Sequence, residues 1–117
     1  MDLQEIKRKQ FRINVQGNDS FSSKINNVPY ELINIGNTGI GIKLTSEDIF
    51  FTVDDELSIE LKAEDQVYAL KGKIVHINPS GPENFICGIQ FVNIDEATKS
   101  KWMSFLQAYT EKMFAED

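Results

Sequence analysis

The chain has 117 residues, the size of one domain, and its 41% hydrophobic and 26% charged residues with only three prolines describe a globular protein rather than a disordered or low-complexity segment. A single cysteine, Cys87, excludes an internal disulfide and a CxxC site, and a single histidine, His76, leaves no histidine cluster for a metal. The formal net charge of −6 argues against a general nucleic-acid binder, yet Lys7, Arg8, Lys9 and Arg12 put four of the twelve basic residues inside six positions. Such a positive spot on an acidic body suits a small anionic ligand better than a long polyanion.

Residues 1–10 are charged and weakly patterned, which predicts a flexible basic arm ahead of a single domain spanning 11–117. They do not resemble a signal peptide, and no stretch of the chain has the apolar length of a membrane span, so the expected location is cytoplasmic. Phe11, Ile13 and Val15 alternate with Arg12, Asn14 and Gln16, the period of a half-buried strand with Arg12 facing away from the core. Phe21 and Ile25 mark a short strand after a turn-rich segment.

Pro29–Ile35 and Thr38–Thr45 read as two strands of a hairpin, with Gly36 and Asn37 at the turn and Gly39 close behind to supply positive backbone angles. Leu57, Ile59 and Leu61 alternate as a strand, and a polar turn leads into Val67–Ile77, where a change of phase predicts a bulge near Gly72. Phe85, Cys87, Ile89 and Phe91 alternate as the last strand. Beyond it, Asn93 and Glu96 fit a capping box, and Trp102, Phe105, Leu106, Tyr109 and Met113 recur at helical spacing over about 95–115. The expectation is a mainly β fold, a six-stranded antiparallel barrel with a C-terminal helix against one opening.

Catalysis has little support. His76 stands alone late in a strand, Cys87 lies in an apolar phase as a buried thiol, and Asp54, Asp55 and Glu56 read as a solvated turn. Gly36, Gly39 and Gly41 reverse the dinucleotide fingerprint and lack the Lys-Ser or Lys-Thr of a phosphate loop, so they read as hairpin glycines. A non-enzymatic binding module, with no metal and no cofactor, is expected.

Two features gain meaning together. Arg8 and Arg12 form RxxxR before the first strand, and Asn34, Gly36 and Gly39 form NxGxxG at the hairpin. In order and spacing the chain resembles the PilZ domain family, whose members carry RxxxR followed by (D/N)xSxxG on a six-stranded barrel with a C-terminal helix. Gly88-Ile89-Gln90-Phe91 is similar to the GxxF strand common there. The resemblance implies a receptor for the bacterial second messenger cyclic di-GMP, with Lys7, Arg8, Arg12, Asn34, Gly36 and Gly39 as ligand-binding residues. Two arginines suit that ligand, because a guanidinium pairs bidentately with phosphate or with guanine O6 and N7 and stacks on a purine.

Gly36 departs from the family pattern by taking the serine position, which removes a hydroxyl contact to the base. Lys7 stands where the family often has another arginine, which ties it to the number of ligand molecules bound. The resemblance also implies a signal passed over the surface to a protein partner in motility, pilus or envelope-polysaccharide machinery. The rival reading is a degenerate PilZ-like adaptor that binds no nucleotide, and a barrel for single-stranded nucleic acid is disfavoured by the charge.

Overall fold

A computed structural model describes residues 12–48 and 50–115. Eight strands precede one helix: β1 (Arg12–Asn14), β2 (Phe21–Ile25), β3 (Val28–Tyr30), β4 (Leu32–Gly36), β5 (Gly39–Thr45), β6 (Glu56–Ala63), β7 (Gln66–Pro79), β8 (Asn84–Phe91) and α1 (Glu96–Ala115). The strands form a single antiparallel sheet in the order β1-β4-β5-β8-β7-β6-β2-β3.

The mainly antiparallel β class with a C-terminal helix is as expected, but the count is eight strands rather than six. The segment read as one strand, Pro29–Ile35, is two: β3 pairs with β2 at one margin of the sheet, while β4 pairs with β1 and β5 near the other. Only Glu31 separates them, and its carbonyl accepts a hydrogen bond from Lys43 N–H at 2.9 Å. Chain continuity across that single residue holds the two margins together, so the sheet curls around its own core. The β2–β3 hairpin turns on Asn26 and Asn27, both with positive φ (52° and 72°), the mirror-image turn whose twist matches the flanking strands.

Alternation delivers the core. In β6 every second residue is buried, and Ile35, Ile40, Ile74 and Ile89 are fully buried from four different strands. Burying each such side chain contributes about 1.5–3 kcal/mol. α1 covers one end of this core through Trp102, whose ring centroid lies 5.1 Å from Tyr68 and 6.1 Å from Phe91. Phe21 meets Tyr109 edge-on at 5.2 Å, completing the seal. Trp102 and Leu106 are buried, whereas Met113, read with the same stripe, is 41% exposed.

Three local expectations are corrected. The break in β7 falls at Val75, where the register skips from Ile74↔Ile89 to His76↔Gly88, and not near Gly72. The helix is capped by Asp95, because Asn93 sits at φ 52°, outside the extended conformation an N-cap needs. Asp95 C=O accepts from Lys99 N–H at 2.9 Å, and hydrogen bonds to the Thr98 side chain and backbone hold the Asp95 carboxyl below its usual pKa. Finally, among the described residues the glycines with positive φ are Gly17 and Gly81. Gly36 ends β4 in ladder register with Arg12. Gly39 is demanded by close approach, since a Cβ there would overlap the Ile89 carbonyl.

Candidate ligand-binding site

The site begins with the short β1–β4 ladder, in which Arg12 stands opposite Gly36 and Asn14 opposite Asn34. Ile13 and Ile35 fill the same ladder from the core side, which puts Arg12 and Asn34 together on the outer face. The Arg12 guanidinium reaches diagonally to Asn34, Nη1 donating to Oδ1 at 3.4 Å. Surrounding protein desolvates the Arg12 side chain and lowers its pKa, and an arginine remains charged through such a shift. The two motif halves, 22 residues apart in sequence, therefore meet as one donor and acceptor pair.

Asn34 owes its aim to a bulge. The β4–β5 register runs from Leu32↔Ile42 to Asn34↔Gly41, leaving Ile33 as the extra residue. A bulge re-aims the side chain that follows it. Asn34 leans over β5, where Gly41 gives it room: a Cβ at Gly41 would stand 2.9 Å from Asn34 Oδ1 and 3.1 Å from Nδ2. Sequence reasoning treated Gly41 as a hairpin glycine, because only the cross-strand register shows that it seats the motif asparagine.

Gly36 is buried and adds no side chain beside Arg12, so the outer face has no hydroxyl at that point. Its carbonyl accepts a 3.0 Å hydrogen bond from Trp102 Nε1, which ties the motif strand to α1. The helical spacing reads Trp102 as core packing first, with a partner surface as the alternative, and nothing in a linear pattern reveals this bond. Beyond Gly36 a cleft of about 270 Å³ opens between the β4–β5 turn and the start of α1, lined by Asn37, Thr38, Gln90, Phe91, Lys99 and Trp102 among others. Gly39 pairs with Gln90 and Gly41 with Gly88, so the motif hairpin continues directly into β8.

Lys7 and Arg8, the remaining expected ligand residues, lie outside the described residues. His76 is exposed on β7, and Asn78 Nδ2 lies 3.1 Å from its Nδ1. Cys87 is fully buried, and burial raises its thiol pKa to about 11, so it serves as a core residue rather than a nucleophile. Among the described residues no group of three or more His, Cys, Asp or Glu is arranged to hold a metal, and no helix is long and apolar enough to cross a membrane.

Comparison with known proteins agrees with this architecture. Two solved structures share the fold. An uncharacterized Legionella protein, Lpg0364, has a TM-score of 0.60 at 13% identity, over 88% of this chain and 97% of its own. The Borreliella burgdorferi PlzA protein, solved in complex with c-di-GMP, has a TM-score of 0.61 at 11% identity, over 92% of this chain and 54% of its own, so this chain spans about half of that longer protein. A search of curated proteins gave no match. A family model described as PilZ domain matches residues 6–109, nearly the whole chain, and the protein therefore belongs to the PilZ domain family.

Proposed function

We propose that this PilZ domain is a receptor for cyclic di-GMP, bound on the outer face of β1, β4 and β5. PilZ domains are cyclic di-GMP receptor domains rather than enzymes, and a fold relative was solved with that ligand. The observation that carries the reading for this chain is the 3.4 Å approach of Arg12 to Asn34, which joins the arginine motif to the hairpin motif. Arg12 supplies a charged fork for phosphate or for guanine O6 and N7, and Asn34 an amide for the base edge. Lys7 and Arg8 add positive charge from the preceding segment. Gly36 and Gly39 complete the hairpin motif, Gly36 opposite Arg12 and Gly39 packed close against β8. The bound ligand then alters the surface read by a protein partner in motility, pilus or envelope-polysaccharide machinery.

The absence of a side chain at Gly36 favours a second reading, a nucleotide-free adaptor that works through protein contacts alone. Isothermal titration calorimetry with cyclic di-GMP, and with GMP and cyclic di-AMP as controls, separates the two. Saturable binding of cyclic di-GMP alone supports the receptor. No heat with any of the three, for a folded protein, supports the adaptor.

A further inference from the structure

The outer face carries a second polar residue placed as Asn34 is placed. One continuous rung crosses four strands: Asn34 pairs with Gly41, Gly41 with Gly88, and Gly88 with His76. Residues directly opposite in antiparallel ladders share a face, so all four positions look outward, while Ile40, Ile42, Cys87 and Ile89 of the same strands look into the core. Both ends of the rung follow a bulge, Ile33 before Asn34 and Val75 before His76. Both inner positions are glycine, and each is roofed by its neighbour. A Cβ on Gly41 would press on the Asn34 amide, and a Cβ on Gly88 would overlap the His76 ring at Nε2. The amide and the imidazole thus lean toward each other from β4 and β7, over the two strands β5 and β8 that lie between them.

The imidazole is also oriented. With the Asn78 amide donating to Nδ1 across 3.1 Å, the hydrogen sits on Nε2, the nitrogen above Gly88. A bulge, a glycine seat and an orienting amide are more than a solvated surface histidine requires.

We propose that His76 is a base-reading residue of the ligand site, donating from Nε2 to the O6 and N7 edge of a guanine that Asn34 engages from the other end of the rung. This rests on the cyclic di-GMP reading above. Guanine offers two acceptors on that edge, whereas adenine replaces O6 with an amino group that cannot accept. His76 therefore sets the preference for guanine over adenine, and Gly41 and Gly88 seat the two readers.

Titration calorimetry of the wild type, His76→Ala, His76→Gln, Gly88→Ala and Arg12→Ala with cyclic di-GMP and cyclic di-AMP tests the assignment, with thermal unfolding of each variant alongside. His76 is exposed, so its variants should fold as the wild type does. The expected result is roughly 5- to 10-fold weaker cyclic di-GMP binding for His76→Ala, a reduced preference over cyclic di-AMP, and partial recovery in His76→Gln, whose amide can donate. Gly88→Ala should mimic the loss by displacing the ring. If Arg12→Ala weakens binding but His76→Ala keeps wild-type affinity and preference, the role of His76 is overturned while the receptor reading stands. If the folded wild type binds no cyclic di-GMP, the receptor reading fails and this assignment falls with it.

Discussion

Trp102 Nε1 donates a 3.0 Å hydrogen bond to the carbonyl of Gly36, so the residue that seals the helix onto the core also holds the end of the motif strand. Gly36 is buried, and without the indole its carbonyl loses that partner. Trp102→Phe keeps an aromatic ring against Tyr68 and Phe91 but removes the donor. It should lower the stability by about 1–3 kcal/mol, the cost of stranding a buried acceptor, read as a lower urea midpoint with an unchanged slope.

Arg12 should show the opposite profile. Its side chain is exposed, and its described contact is the long hydrogen bond to Asn34, so Arg12→Ala should leave the unfolding free energy within about 0.5 kcal/mol of wild type. Cyclic di-GMP affinity should fall by about 1–3 kcal/mol, the scale of a good bidentate contact. Arg12→Lys should recover only part of it, because an ammonium keeps the charge and loses the planar fork. Calorimetric titration and urea unfolding of both variants check this.

The glycines around Asn34 separate room from chemistry. Gly41→Ala should weaken binding, since the added methyl would stand 2.9 Å from Asn34 Oδ1 and force the amide off its seat. Gly36→Ser should strengthen it by about 1 kcal/mol, because a strand position opposite Arg12 adopts serine without a positive φ and gains the hydroxyl that the family pattern carries. Affinity and stability measured on the same two variants check both claims, and a weaker Gly36→Ser with unchanged stability would refute the second.

Cys87 predicts an alkaline signature. Its pKa is raised from 9.0 to about 11 by burial, so above pH 9 the unfolded chain gives up a proton that the native state keeps. Fewer protons on the unfolded state make stability fall as pH rises, and the window is pH 9 to 11. The loss attributable to this thiol approaches about 3 kcal/mol above that window. Cys87→Ala should be less stable near neutrality but show a shallower decline across the window. Parallel slopes for the two proteins in urea melts between pH 8.5 and 11 would remove Cys87 as the cause.

Much of the architecture was legible because alternation is a local property. Ile13, Leu57, Ile59, Leu61 and Cys87 declared their strands, and Trp102, Phe105, Leu106 and Tyr109 declared the helix. The split at Glu31 was hidden, since Pro29 to Ile35 alternates plausibly on either side of it and only the pairing partners reveal two strands. The cap shifted from Asn93 to Asp95 because side-chain chemistry at both suits a cap and backbone φ decides between them. In the site, Arg12 and Asn34 were legible as motif residues. Gly41 and the Trp102 bond were not, because a cross-strand seat and a contact 66 residues apart leave no periodic trace.

The most direct measurement is a nuclear magnetic resonance titration of the isotope-labelled protein with cyclic di-GMP, following every backbone amide and the Arg12, Asn34 and Trp102 side chains. The account predicts saturable shifts concentrated at Arg12, Asn34, Gly36, Gly39 and Gly41 on the outer face and extending to His76 and Gly88, with the Trp102 indole moving through its bond to Gly36. Glu111 and Lys112, at the far end of α1, should stay still. Shifts confined to another surface, such as Phe50 to Val53, or no shift at saturating ligand, would contradict the site assigned to β1, β4 and β5.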